Sequence, residues 1–295
     1  MNDLYVSVTE RVITALESGT PPWIRPWADS GYDPSPTNLA TSRAYRGINV
    51  LLLNIEAQLR GFDDNRWLTY RQTAMLGGHV RKGERGTTIV LFKWLADLGE
   101  ANAPEDSERR VIPLLRSFTV FNACQVDGLP PDRYRVLAPP AWSPVEAADR
   151  VLSESGADIR HGGDRAFYAP GPDHIQLPQR SQFETADAYY AVGLHELAHW
   201  TGHPTRCNRP LGGRYGLEAY AFEELVAEMG AAFLCAHCRL PARLEHASYV
   251  GSWLEALKGD KRLIFVAAGK AQAAADFILA ASAIVPSPAA EAVAA

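Results

Sequence analysis

Two periodicities organise the apolar positions of this chain. Leu4, Val8, Val12 and Leu16 recur every fourth residue, which predicts an amphipathic helix ended by Ser18-Gly19-Thr20-Pro21-Pro22. A second helix is expected from about Asn49 to Leu59, stopped near Gly61, and a short one from Arg71 to Leu76 before Gly77-Gly78. Trp67-Leu68-Thr69-Tyr70 lies between them, after a turn at Asp64 to Arg66. The pattern then changes. Turn residues Gly83 and Gly86 precede the β-branched run Thr87-Thr88-Ile89-Val90, so this stretch reads as a loop feeding a strand. Val111 to Phe121 is its expected partner strand, joined by the polar, acidic stretch Ala96 to Arg110.

After a proline-rich stretch from Leu129, helical periodicity returns from about Pro144 to Ser155. Three short strand candidates follow at Ile159–His161, Ala166–Tyr168 and His174–Leu177, separated by Gly, Pro and Asp. Helices are then predicted over Ala186–Trp200, Tyr220–Leu234, Tyr249–Leu257 and Arg262–Ala281, with a Gly- and Arg-rich loop from Cys207 to Gly216 and an Ala- and Pro-rich tail from Ile284. The expected class is α+β: an N-terminal α+β domain over residues 1–128, a linker over 129–141, and a mostly helical domain with a small sheet over 142–295.

Composition narrows this only a little. The 295 residues give room for two ordinary domains, and the net charge of −5 is modest. No run of 18 apolar residues predicts a membrane helix, and Met1-Asn2-Asp3-Leu4-Tyr5 lacks a basic, then apolar leader, so the expected location is the cytoplasm with no membrane partner. The cysteines at 124, 207, 235 and 238 form no disulfide framework, and Cys235-Ala236-His237-Cys238 is read as small apolar positions on a helix rather than a zinc knuckle.

The chemistry concentrates at His195-Glu196-Leu197-Ala198-His199, of the form H-E-x-x-H. Residues four apart share a helix face, so His195 and His199 can grip one metal ion, with Glu196 beside it as the base for a water molecule. The short matching pattern also occurs as an ordinary exposed helical turn. The helix before it, the stop at Gly202 and Pro204, and an acidic helix downstream favour the metal reading. A small sheet ahead of a metal-binding helix is the zincin layout. Position 205 is Thr, which excludes the metzincin third histidine, and His203 lies beyond the helix end. Glu223-Glu224-Leu225-Val226-Ala227-Glu228 supplies the better third ligand. Glu224 is expected on the metal and Glu228, four residues on, in contact with a ligating histidine, as in gluzincins, or with the two roles reversed. Glu223 is expected to face solvent. Zn2+ is the expected ion, with Mn2+ or Co2+ as substitutes.

The first half carries a different signal. Between Asn38 and Ala96 nine Lys or Arg face four Asp or Glu, a local +5 in an acidic protein. Trp27, Tyr45, Trp67 and Tyr70 are interleaved with them. Cations for phosphates and aromatic platforms for unpaired bases are what a single-stranded-DNA surface needs. The competing reading places the tryptophans in a core and the arginines on a solvated face.

These motifs, in this order, resemble the plasmid-borne antirestriction proteins of the ArdC type. The resemblance rests on Pro22-Trp23-Ile24-Arg25-Pro26-Trp27, Tyr45-Arg46-Gly47-Ile48-Asn49, Trp67-Leu68-Thr69, the stretch from Gly77 to Thr87 and Phe118-Thr119-Val120-Phe121-Asn122 in the first half. In the second it rests on the segments from His195 to His203, Glu223 to Glu228 and Ser252 to Lys258. It implies a single-stranded-DNA-binding N-terminal domain joined to a zincin-like metallopeptidase domain, and protection of incoming plasmid DNA from host restriction during conjugation. Arg25, Trp27, Tyr45, Arg46, Asn49, Trp67, Arg81, Lys82 and Arg85 are then the expected DNA contacts. A restriction enzyme or another protein is the expected peptidase substrate. The alternative is a non-catalytic protein that binds DNA or a restriction enzyme and whose metal site is structural or vestigial. A zinc nuclease fits less well, because phosphodiester sites more often use paired metals.

Overall fold

The computed structural model describes residues 2–19, 21–23, 35–96, 111–130, 144–211, 217–241 and 249–281. Helix α1 spans Asn2–Glu17, strand β1 Thr37–Asn38 and helix α2 Ile48–Arg60. Gly47 enters α2 with φ of 55°, and Gly61 leaves it in the left-handed conformation at φ 64°, where its N–H bonds back to carbonyls of the last turn. Strand β2 (Arg66–Thr69) runs straight into α3 (Tyr70–Met75) through a capping box: Thr69 Oγ1 accepts from the Gln72 N–H, and Gln72 Oε1 from the Thr69 N–H. Then come β3 (His79–Val80), β4 (Thr87–Ala96), β5 (Val111–Asn122) and β6 (Val126–Asp127).

The expected hairpin is present. Strands β4 and β5 pair antiparallel from Thr87 opposite Val120 to Ala96 opposite Val111. They belong to a four-stranded sheet ordered β1-β2-β5-β4, in which β1 and β2 run parallel. Strands β3 and β6 make a separate two-stranded ribbon. The connecting residues 97–110 and the linker core 131–143 lie outside the described residues.

The second half holds α4 (Pro144–Glu154), β7 (Asp158–His161), β8 (Phe167–Ala169), β9 (His174–Leu177), α5 (Ala186–Trp200), α6 (Leu217–Cys238), α7 (Val250–Gly259) and α8 (Leu263–Ala281). The small sheet is ordered β7-β9-β8, with β9 parallel to β7 and antiparallel to β8. Helix α6 runs beyond its predicted ends and takes in Cys235 and Cys238, both buried among apolar neighbours as expected for small core residues. By length and composition α8 could cross a membrane. Here one side of it, Ile264, Ala267, Ala268, Ala271, Ala274, Ala275 and Ile278, is buried against the rest of the chain.

The largest apolar cluster crosses the two halves. Val8, Val12, Leu16, Trp23, Leu51, Leu52, Ile55 and Val90 pack with Leu225, Val226, Met229, Trp253, Leu257, Ala267, Ala268 and Ala271. The rings of Trp23 and Trp253 meet edge to face at 5.8 Å. Arg46 pairs with Asp276, and the Gly47 N–H bonds Gln272 Oε1 at 3.0 Å. A second cluster sits between α4, α5, the small sheet and the C-terminal part of α6.

Candidate metal centre

Helix α5 starts where Thr185 accepts a hydrogen bond from the Ala188 N–H at 3.1 Å. From Gly193 to Trp200 every residue is buried, so the H-E-x-x-H turn lies inside the molecule rather than on an exposed face. Helix α6 packs closely against it. A Cβ at Gly230 would come within 3.2 Å of the Ala198 Cβ, so the glycine allows the near approach of the two helices. That packing brings the acids of α6 to the histidines of α5.

Glu224 faces both imidazoles. Its Oε2 is 3.5 Å from His195 Nε2 and its Oε1 is 3.5 Å from His199 Nε2. One donor atom from each of the three residues lies within 4.8 Å of the others. Separations of 3.5 Å are long for N–H···O hydrogen bonds. The two contacts use different oxygens of the one carboxylate, so Glu224 spans both imidazoles, and a cluster with one ligand atom of each residue within 4.8 Å of the others is of a size to close on one ion with bonds of about 2.0–2.1 Å. Two nitrogens and a carboxylate oxygen converging in this way fit a divalent cation. Glu196 is also buried, at 5% exposure.

The assignment of Glu223 to solvent is corrected. Glu223 is 3% exposed, and its Oε1 lies 3.2 Å from His199 Nδ1. The guanidinium of Arg209, 4% exposed, clamps this carboxylate with Nε to Oε2 at 2.9 Å and Nη2 to Oε1 at 2.8 Å. Arg209 also donates to the Ala198 carbonyl at 2.7 Å and Thr201 Oγ1 at 2.8 Å, which ties the end of α5 to the centre. The partner of the His199 ring is thus Glu223, the neighbour of the expected ligand. Glu228 is buried on the same helix. Neither Glu223 nor Arg209 was predicted. The usable signal was that α6 is apolar nearly all round, so every acid on it needs a partner.

The charges set the protonation. Burial alone would disfavour the imidazolium of His199, but the Glu223 and Glu224 carboxylates outweigh it and push its pKa up to about 10. Burial would raise Glu224, yet the two histidines hold it below the usual carboxylate range. Burial raises the Tyr220 phenol, and the adjacent Glu224 charge raises it further. Tyr220 therefore stands beside the centre as a neutral hydroxyl. His203, beyond the helix end, has its Nδ1 2.8 Å from Thr205 Oγ1. A surface cavity of about 480 Å³ bounded by His161, Arg165, Phe167 and Gln176 is lined by none of the residues of the centre.

The predicted DNA contacts fare unevenly. Arg25 and Trp27 lie outside the described residues. Trp67 is fully buried, with its ring edge-on to Phe62, and presents no face to a base; this corrects its assignment. The Asn49 side chain is also taken, because it bonds both the N–H and the C=O of Val90 at 2.8 Å and so fastens α2 to β4. Tyr45 is half-buried beside Asn38. Arg46 is exposed but paired with Asp276. Arg81 is engaged by Glu84, Asp127 and the Cys124 carbonyl. Lys82 and Arg85 are exposed.

Comparison with known proteins follows the same two halves. Residues 2–121 match the family described as the N-terminal domain of anti-restriction factor ArdC, and residues 146–270 match the zincin-like metallopeptidases. The metal-free crystal structure of the antirestriction ArdC protein from plasmid R388 is similar with a TM-score of 0.79 and 43% identity, over 95% of this chain and 98% of that one. The chain belongs to the ArdC antirestriction family. The R388 ArdC protein has also been crystallised with Mn(II), and that structure matches with a TM-score of 0.78. An uncharacterised protein of Sinorhizobium fredii, y4eC, is 44% identical over 94% of this chain and 91% of its own length. Two Escherichia coli proteins named DNA primase TraC are 42% and 40% identical over 92% of the chain, which spans 27% and 20% of their lengths. An ArdC-family unit therefore also occurs as part of much longer primases.

Proposed function

We propose that this ArdC-family chain binds single-stranded DNA through its first half and carries a divalent-metal centre of metallopeptidase type in its second. In the cytoplasm it would protect incoming plasmid DNA from host restriction during conjugation. The observation that carries the metal part is the convergence of His195, His199 and Glu224, with one ligand atom of each within 4.8 Å of the others. Zn2+ suits the donor set, and Mn2+ is supported by the relative crystallised with it. When bound, the ion supplies Lewis acidity and makes water acidic enough to yield a nucleophile near neutral pH.

The rest is done by the chain. His195 Nε2, His199 Nε2 and a Glu224 oxygen hold the ion. Glu223, fixed by Arg209, keeps the His199 ring in the orientation that points Nε2 at Glu224. Glu196 is the base that takes a proton from water and returns it to the leaving amine of a peptide. The neutral hydroxyl of Tyr220 is hydrogen-bonded with Glu224 and helps to orient that carboxylate.

A second reading has an observation in its favour: His195, Glu196 and Glu224 are each at most 5% exposed. A closed site suits a structural ion in a protein that acts by binding alone. Antirestriction by the Glu196→Ala variant separates the two. Loss of protection, with metal still bound, is expected for the peptidase reading, and full protection would transfer the function to binding.

A further inference from the structure

Burial removes Trp67 from the aromatics that the sequence interleaves with cations. Unpaired bases need an exposed ring, and among the described residues of this half Tyr70 and Phe118 are exposed aromatic rings, Tyr70 the more so. Tyr70, the first residue of α3, is 66% exposed. Its ring is braced edge to face by Phe121, with centroids 6.2 Å apart. Phe121 is half-buried at the end of β5, next to Val120, which pairs with both Thr69 and Thr87. Behind it lies the backbone of Gly86, where a Cβ would come 3.1 Å from Phe121 Cζ and 2.2 Å from Thr119 Cγ2. The platform is therefore rigid, and the 81–86 loop is pressed against it.

Exposed cations lie on the segments that carry this platform. Arg71 follows Tyr70 and is exposed; Lys82 and Arg85 are exposed on the loop that ends at Gly86. The loop is held down where the Arg81 N–H bonds the Gln125 carbonyl at 3.0 Å and Gln125 Nε2 bonds the Arg85 carbonyl at 2.9 Å. Its one acid, Glu84, is already countered by Arg60 at 3.2 Å and Arg81 at 2.9 Å. An open aromatic face with excess positive charge at its edge matches a nucleotide, base on the ring and phosphates on the cations.

We infer that the Tyr70–Phe121 pair, flanked by Arg71, Lys82 and Arg85, is a base-stacking platform for single-stranded DNA. The inference rests on the DNA-binding reading above, and the test tells the two apart. Fluorescence anisotropy with a labelled oligothymidylate would be measured for the full chain and for the Tyr70→Ala, Tyr70→Phe and Arg85→Ala variants, at several salt concentrations. Tyr70→Ala should weaken binding by roughly tenfold to a hundredfold with the salt dependence unchanged, and Tyr70→Phe should retain it. Arg85→Ala should lower the slope of log affinity against log salt by about 0.7. Tyr70 is 66% exposed and belongs to none of the apolar clusters, so melting temperatures should stay close to that of the parent chain. Equal binding by the parent and Tyr70→Ala would overturn the platform and leave DNA binding standing. A parent chain that binds no oligonucleotide would overturn both.

Discussion

Two adjacent acids on one helix have different jobs at the metal centre. Glu224 faces the two Nε2 atoms, and Glu223 grips the far side of the His199 ring. Arg209 is what makes Glu223 tolerable in the interior: a bidentate guanidinium satisfies a carboxylate that burial would otherwise neutralise. If Glu223 fixes the ring, then Glu223→Gln keeps the shape but weakens the acceptor. Metal affinity, read by competition with a chelator, should fall by about 10–100-fold in that variant while the three metal-holding side chains remain. Unchanged affinity would reduce Glu223 to a structural partner of Arg209.

At the scale of elements, the centre exists because α5 and α6 approach closely. Gly230 against Ala198 sets that distance, and Gly193 allows the same on the α4 side, where a Cβ would meet Leu152 Cδ1 at 3.0 Å. Gly230→Val should therefore push α6 outward and move Glu224 off the histidines. The expected cost is roughly 1–3 kcal/mol in denaturant unfolding, accompanied by a loss of metal affinity. A variant that loses stability but binds metal normally would show that the helix pair can repack around the extra methyls. Helices with strong periodicity, such as α1 and α2, were legible in advance because their apolar stripes and end signals agree. The strands β1, β3 and β6 were not. Each has two residues, too short for any alternation to register, and exists only through a partner far away in sequence.

The molecule as a whole does not fall into two separate cores. Val8, Val12, Leu16 and Ile55 of the first half are buried together with Leu225, Met229, Trp253 and Ala268 of the second. A fragment ending at residue 128 would expose that apolar face to water. It should melt without the cooperative transition of the full chain, as followed by circular dichroism. A fragment with a sharp transition of its own would assign the shared cluster to docking between independently stable units. The shared core also places the proposed DNA-binding half and the metal-bearing half in direct contact through α1, α2 and α6 to α8, as the Arg46–Asp276 and Gly47–Gln272 contacts illustrate.

The sequence by itself determined what short-range chemistry can encode. His195 and His199 share a face because four residues make about one helical turn, and Glu196 follows from its neighbour. The β4–β5 hairpin and the small sheet ahead of α5 came from local pattern and turn residues. Glu224 was legible because an acid on an apolar helix implies a partner. Only the tertiary structure decided which partner each acid takes, because Glu223 and Glu224 are about 100° apart on the helix and the facing surfaces, α5 and Arg209, are set by packing. It also decided which of Trp67 and Tyr70 is exposed. Trp67 and Tyr70 look equally suited in the sequence, three residues apart in the same basic stretch. One points into a core formed by residues from α2 and β5, and the other out to solvent, and burial of that kind depends on contacts distant in the chain.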